Sequence, residues 1–217
     1  MQVEGTVVLA AVTIAVGQSV AASGDCVVQV NDSSISSCST TTSPFELQSF
    51  LQRLLDENLE FEQLSIATTN ASWALRLQVQ VQILDADGAC YDVAVAAVSA
   101  ALLDTSIPVQ FDPAKRTVSR ETQPLHLPRV PCTLSAVIWS PPSSTEGYHP
   151  TDHTIVDPTS TEEEAGERLL SLVTVDALQP DSLLAIQGPV RLPLLDYASG
   201  HARKLYNILQ PQQQAKA

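Results

Sequence analysis

Basic residues and glycine are scarce in this sequence of 217 residues. Eleven Lys and Arg stand against 24 Asp and Glu, so the formal charge is −13 at pH 7. This acidity excludes a strongly basic protein that binds nucleic acid unaided, but not one that meets RNA only through partners. Eight glycines and one methionine predict neither a glycine-rich cofactor loop nor a methionine-rich groove.

The motifs of common catalytic and metal sites are missing as well. The sequence contains no P-loop, no G-x-S-x-G elbow and no H-E-x-x-H helix. His149 and His153 lie in a proline-broken loop and would need a third ligand, such as Asp152 or Asp157, to hold a metal ion. The sequence therefore predicts neither a metal ion nor a cofactor.

Cysteine is infrequent, and long apolar runs are missing. No C-x-x-C pair occurs, and we expect reduced thiols at Cys26, Cys38, Cys90 and Cys132. The apolar run Val7–Val16 is shorter than the roughly 20 residues of a membrane span, and no Lys or Arg precedes it, so it predicts a buried strand. A secreted, disulfide-bonded binding domain is the weaker alternative, which this run and the glycosylation sequons at Asn31 and Asn70 favour.

Alternation predicts the clearest strand, Trp73–Ile83. Every second side chain is apolar and faces a core, whereas the other face meets water or another subunit and carries Ala74, Arg76, Gln78, Gln80 and Gln82. Asp85 to Gly88 is predicted to be a turn, in which Gly88 is free to take a positive φ. The turn explains the carboxylates of Asp85 and Asp87 better than acid–base chemistry does.

Three main helices are predicted. The first begins at Ser43-Pro44-Phe45-Glu46, where Ser43 caps the free amides and Glu46 bonds back to the cap, and it ends near Asn58. Its apolar face comprises Phe45, Phe50, Leu51, Leu54 and Leu55. The other two helices are Asp92–Leu103 and Leu192–Leu209, and a frayed tail is expected over Gln210–Ala217.

The remaining segments predict strands, loops and one short acidic turn or helix. The strands are Val27–Val30, Thr133–Trp139, Thr154–Val156, Leu169–Val175 and Leu183–Ile186, with short pieces between the prolines of residues 107–131. Loops are expected at 31–43 and 140–152, and Glu162 to Glu164 should be a solvated acidic run. This order of elements predicts an α+β fold with one domain over residues 1–217.

Four basic residues form a modest cluster, and they are Lys115, Arg116, Arg120 and Arg129. They are candidate contacts to RNA phosphates. Such residues more often form a solvated surface, which is the alternative interpretation.

Four short strings, in the same order, resemble RNase PH-like proteins from about residue 5 to residue 209. The first is Leu84-Asp85-Ala86-Asp87-Gly88, followed by Asp92 and an alanine-rich helix, and the second is Ser37-Cys38 followed by Ser43-Pro44-Phe45. The third is Ile155-Val156-Asp157-Pro158-Thr159 followed by Glu162-Glu163-Glu164, and the fourth is the closing helix. The sequence most resembles the forty-three-type, non-catalytic subunits of the eukaryotic RNA exosome ring.

This resemblance implies an RNase PH-like βαβα fold, of the ribosomal protein S5 domain 2-like kind, in a hexameric ring. The ring threads RNA toward a separate nuclease for 3'-to-5' processing and degradation, including rRNA processing. The implied partners are other RNase PH-like subunits, S1/KH cap subunits, the nuclease subunit and RNA. No contact with a membrane is implied. The implied location is the nucleus, nucleolus and cytoplasm.

The resemblance also implies that catalysis is lost. Active members carry phosphate-binding arginines near the start of the first helix, whereas Ser39 to Phe45 contains none, and Asp157-Pro158-Thr159 is the pattern of inactive subunits. The alternative is an active, phosphate-dependent 3'-to-5' exoribonuclease. Family members usually begin with a further N-terminal stretch, so we expect the sequence to be shortened there.

Overall fold

The computed structural model describes residues 5–18, 24–33, 43–66, 73–112, 115, 117–139, 153–165, 170–188 and 192–214. The helices are α1 (Pro44–Asn58), α2 (Cys90–Leu103), α3 (Ser160–Ala165) and α4 (Leu192–Gln214), with a 3₁₀ turn at Phe61–Leu64. The strands are β1 (Val7–Gln18), β2 (Asp25–Asp32), β3 (Ser65–Ile66), β4 (Trp73–Asp85), β5 (Ser106–Pro108), β6 (Phe111–Asp112), β7 (Thr117–Val118), β8 (Thr122–Pro124), β9 (Pro131–Trp139), β10 (His153–Val156), β11 (Leu170–Asp176) and β12 (Leu183–Gln187). The predicted α+β class is confirmed.

The fold combines two four-stranded sheets with three main helices. The first sheet has the order β1-β4-β2, with β3 beside β4, and the second has the order β10-β9-β11-β12. Helix α2 contacts β1 and β9 and therefore lies between the sheets, while α1 packs on β2 and α4 packs on β9 and β11. The short pairs β5–β8 and β6–β7 complete the described strands. The buried core extends along the chain from Cys26 in β2 to Ala202 in α4.

Strand β4 confirms the predicted alternation. It pairs antiparallel with β1 and parallel with β2. The core-facing side chains are buried at Leu75, Leu77, Val79, Val81 and Ile83. The exposed positions are Arg76, Gln78, Gln80 and Gln82. Ala74 was predicted on the exposed face, but it is buried at the point where β3 pairs with β4.

Helix α1 has the predicted ends but not the predicted cap. The Ser43 side chain makes no capping hydrogen bond, and the Ser43 carbonyl oxygen accepts one from the Leu47 N–H at 3.0 Å. Phe45 was predicted on the apolar face, but its side chain is 74% exposed. It lies two positions before the buried Leu47, which is about 200° around a helix, so it faces away from the core.

Helix α4 is longer than predicted, because residues 210–214 continue the helix where a tail was expected. Leu194, Ala198 and Ala202 are buried, whereas Leu205 is only partly buried. Ile208, near the end of the helix, is 67% exposed.

Three cysteines lie in the core as free thiols, as predicted. Their pKa values are raised mainly by burial, to about 12 for Cys26, about 11 for Cys90 and about 12 for Cys132. These thiols therefore stay protonated and unreactive at neutral pH. Cys38, the sequon at Asn70 and the 140–152 loop lie outside the described residues. The sequon at Asn31 lies within them.

Among the described helices, none combines the length and the apolar character that a membrane span requires. No group of three His, Cys, Asp or Glu side chains in the described part of the chain is arranged to hold a metal ion.

Candidate functional site

Two of the strings that carried the resemblance meet in space. Gly88, in the turn after β4, has φ of +87°, and a Cβ there would lie 2.2 Å from the carbonyl oxygen of Pro158. Ser160 donates its hydroxyl proton to Asp87 Oδ1 at 3.0 Å. The predicted positive φ of Gly88 is confirmed, and the close approach of the segment after β10 adds a second reason for glycine. We call this contact the turn junction, defined by residues 87–89 and 157–160.

A carboxylate from α3 occupies the start of helix α2. The Ala89 N–H donates to Glu163 Oε1 at 2.8 Å, and the Glu163 side chain is buried. Helix N-termini attract anions because their first amides lack intrahelical partners. The chain thus fills this anion-binding position itself. Glu163 was predicted to be solvated within an acidic run, and that prediction is wrong because α3 packs this side chain inward.

Asp92, in the first turn of α2, links the helix to the second sheet. Its Oδ2 accepts hydrogen bonds from the Ser135 N–H at 2.8 Å and from the Ser135 hydroxyl at 2.9 Å. Its Oδ1 has no partner among the described residues. Burial, opposed by the Ser135 hydrogen bonds and assisted by the charges of Asp157 and Glu163, raises the pKa of Asp92 to about 7.

The surroundings of the turn junction are acidic. Burial raises the pKa of Tyr91 to about 12, and the charges of Glu46 and Glu163 add to the effect. The Tyr91 ring also meets Phe50 of α1 edge-on, with ring centroids 5.2 Å apart, which joins the starts of α1 and α2. The carboxylates that act on Cys90, Tyr91 and Asp92 come from Asp32, Glu46, Asp92, Asp157 and Glu163. A phosphate here would meet like charges.

Asp157 ends β10 with an unusual backbone conformation. Its φ is +56°, in the left-handed region, and its N–H donates to the Ser135 carbonyl oxygen at 3.2 Å. Non-glycine residues adopt this conformation infrequently, and their strain clusters at functional sites and sharp turns. The bend lets Pro158 approach Gly88.

The residues predicted as candidate RNA contacts lie beside different elements of the fold. Lys115 forms an ion pair with Asp112 at 3.6 Å beside the β6–β7 pair. Arg129 donates to Asn58 Oδ1 at 3.5 Å, near the end of α1. Arg120 is exposed, and Arg116 lies outside the described residues. Their role in RNA binding stays a prediction.

Sequence reasoning missed the links that join distant elements. Asp85 Oδ1 accepts the Ala86 N–H at 3.0 Å, which confirms the turn interpretation. Thr6 bridges β1 to the same turn: its Oγ1 accepts the Asp87 N–H at 2.9 Å, and its hydroxyl donates to the Gly88 carbonyl oxygen. The bond from Ala89 to Glu163 spans 74 positions, and no local pattern contains it.

Comparison with solved structures places this geometry in a known fold. An Archaeoglobus fulgidus exosome "with RNA bound to the active site" gives a TM-score of 0.69 at 22% identity, covering 93% of this chain and 78% of that chain. An archaeal exosome core gives 0.64 at 24% identity, covering 94% and 77%. Rice (Oryza sativa) Rrp46 gives 0.62 at 14% identity, covering 96% and 84%. These likenesses show the fold.

Sequence comparison supplies the family. No curated protein was found to match the chain by sequence. Residues 1–108 match the model of the 3' exoribonuclease family, domain 1, known as RNase PH. That segment contains the first sheet, α1 and α2, including one half of the turn junction. The predicted RNase PH-like fold is confirmed, and this chain is an RNase PH-like protein that carries domain 1 of the 3' exoribonuclease family.

Proposed function

We propose that this chain is a non-catalytic, structural subunit of an exosome-like ring of RNase PH-like proteins. Its role is to support 3'-to-5' RNA processing and degradation, including rRNA processing, by a separate nuclease. Its partners are other RNase PH-like subunits, S1/KH cap subunits, the nuclease and RNA threading the ring, in the nucleus, nucleolus and cytoplasm. The observation that carries the loss of catalysis is the Glu163 carboxylate at the start of α2.

Phosphorolysis requires a bound phosphate whose charge is neutralised as it attacks. Preorganised cations and amide donors usually supply this stabilisation. At the turn junction, the Ala89 amide is already bonded to Glu163, and the nearby Asp92 and Asp157 add carboxylates. Like charges within a few ångströms raise the energy of a bound anion. The arrangement therefore opposes phosphate binding.

The ring assignment has separate support. Two of the similar structures are described as exosomes, and both cover more than nine-tenths of this chain. The exposed face of β4 carries uncharged Gln78, Gln80 and Gln82, which can be buried against another subunit without desolvating charges. Only 16% of the residues are charged, which suits a subunit with large buried contacts.

An RNA-shortening assay tests the loss of catalysis. The purified chain, and the complex recovered through a tag on it, are incubated with 5'-labelled single-stranded RNA, with and without phosphate. We expect no phosphate-dependent shortening by the chain, and shortening by the complex that Asp157→Asn leaves unchanged. An archaeal exosome serves as the positive control. Co-purification with several RNase PH-like subunits is expected, and recovery as a lone monomer contradicts the ring.

The second candidate is an active, phosphate-dependent 3'-to-5' exoribonuclease. The left-handed backbone of Asp157 favours it, because such strain also occurs at catalytic residues. Phosphate-dependent activity of the chain that Asp157→Asn abolishes would establish this candidate and remove the first.

A further inference from the structure

The charge of this chain is divided unevenly between helix α4 and the elements before it. From Leu192 onward, three Lys and Arg stand against a single Asp, which gives a net charge of +2. The preceding 191 residues contain eight Lys and Arg against 23 Asp and Glu, which gives −15. A basic segment on an otherwise acidic chain is typical of a protein that meets a polyanion through that segment.

Helix α4 carries an exposed stripe beside its buried face. We call it the α4 stripe, and its members are Tyr197, His201, Lys204 and Ile208. They follow one another at spacings of four, three and four residues, so they line up along the helix. The distance along the helix axis from Tyr197 to Lys204 is about 10 Å. The stripe therefore offers an aromatic ring and a cation to the same ligand.

The cations of this helix are open to a ligand. Lys204 is exposed and takes part in no ion pair among the described residues. Arg203 is 62% exposed and pairs at 3.4 Å with Asp181, whose side chain is 88% exposed. Such an exposed pair contributes little, so a phosphate can replace the carboxylate. Asp196 is the one acidic residue of α4, and it lies about 100° around the helix from Tyr197.

The aromatic ring indicates which polyanion fits. Phe45 and Tyr197 are the two most exposed of the described aromatic side chains, and only Tyr197 lies on a helix face with a free cation. The bases of a single strand stack on exposed aromatic rings while its phosphates meet Lys and Arg. A duplex keeps its base faces covered. The combination therefore favours a single-stranded nucleic acid.

We propose that the α4 stripe binds single-stranded RNA. One base stacks on Tyr197, and the adjoining phosphates lie at Lys204 and Arg203. The choice of RNA among single strands rests on the proposed function, in which RNA threads a ring that contains this chain. The stripe shares no residue with the turn junction or with the basic cluster around Lys115. Ile208 is its one aliphatic side chain, which is too little apolar surface for a helix that lies in a membrane.

Matched charge reversals test the phosphate contact. Fluorescence anisotropy measures binding of a 5'-labelled oligouridine to the full chain and to the complex recovered through an N-terminal tag. Lys204→Glu and Lys115→Glu change the net charge equally, but Lys115 is already paired with Asp112. We expect Lys204→Glu to weaken binding about tenfold at low salt, and Lys115→Glu to weaken it less than about threefold. The slope of log affinity against log salt should fall by about 0.7 for the lost contact. Equal losses, or no RNA binding, overturn the proposal.

Variants of Tyr197 test the stacking. Tyr197→Ala removes the ring and should weaken oligouridine binding by about fivefold or more, whereas Tyr197→Phe keeps a stacking surface and should stay within about twofold of the wild type. The residue is 63% exposed, so circular dichroism should show the same helix content in both variants. Ultraviolet cross-linking followed by peptide mapping should place the RNA on α4. Unchanged binding by Tyr197→Ala, or a cross-link that avoids α4, overturns the proposal.

Competition and recovery separate this surface from the ring. Phosphatidylserine vesicles at the same concentration of negative charge should not displace oligouridine, and displacement overturns the proposal. A lone monomer that binds oligouridine through Tyr197 and Lys204 would support this inference while removing the proposed ring. A complex with RNase PH-like subunits whose RNA binding is insensitive to Lys204→Glu would overturn this inference and leave the ring in place.

Discussion

The starts of helices α1 and α2 differ in how their free backbone amides find hydrogen-bond acceptors. The start of α1 has a capping sequence, yet the Ser43 side chain makes no capping bond. The start of α2 has no local capping residue, because Ala89 stands at its cap position, and its amide bonds to Glu163 from α3. A capping sequence is therefore neither sufficient nor necessary for a side chain to accept a hydrogen bond at the start of a helix. Tertiary packing decides whether an acceptor lies there.

The largest expected effect is at the turn junction on which the α2 start depends. Gly88→Ala adds a Cβ 2.2 Å from the Pro158 carbonyl oxygen at φ of +87°, so we expect a loss of about 3 kcal/mol or more in unfolding free energy. Urea denaturation measures it. Gly200→Ala is the control, because a Cβ there meets nothing within 4 Å in helix α4, and it should be neutral or slightly stabilising. Equal effects would contradict the junction.

Removing the acceptor at the α2 start should have the next largest effect. Glu163→Ala leaves the buried Ala89 amide without its partner and should cost about 1–3 kcal/mol of unfolding free energy. Glu163→Gln keeps an oxygen acceptor and removes a charge from an acidic cluster, so its cost should be smaller. Thermal and urea unfolding distinguish the two. If both variants lose the same stability, the charge rather than the acceptor matters.

The carboxyl group of Asp92 should make stability depend on pH. Its pKa of about 7 in the folded chain lies above the ordinary 3.8, so the unfolded chain releases its proton first as pH rises. Stability therefore falls between about pH 4 and pH 7, and on the order of 2–3 kcal/mol of the fall from this group lies above pH 5. Asp92→Asn should remove that part of the fall. Urea midpoints at pH 5 and pH 8 test this, and identical pH dependence in both proteins would contradict it.

The smallest effect is expected at the start of α1. A capping serine usually contributes about 1 kcal/mol, but the Ser43 side chain makes no capping bond, so Ser43→Ala should change stability by less than about 0.5 kcal/mol. Thermal unfolding by circular dichroism measures the shift. A loss near 1 kcal/mol would show that the cap forms in solution and would erase the contrast between the two helix starts.

Periodic features were predictable from sequence, and long-range contacts were not. The alternation of β4 and the spacing in α1 identify both elements and most of their buried faces, because each repeats over several turns or residue pairs. Phe45 was wrongly predicted on the buried face of α1, because it is apolar but precedes the first buried residue of the helix, Leu47. The strings around Asp87 and Asp157 contain the two segments that meet at the turn junction. Their contact, and the inward direction of Glu163, depend on packing between α3 and α2 that no local pattern records.

The position of α2 between the sheets has a consequence for dissecting the molecule. The helix belongs to the segment 1–108 that matches the family domain, yet it also packs on β9 and is tethered to Ser135 through Asp92. A fragment cut after residue 108 would present the β9-facing side of α2 to water. The boundary of the sequence domain is thus not a boundary of cooperative folding, and the smallest unit worth expressing must include the second sheet.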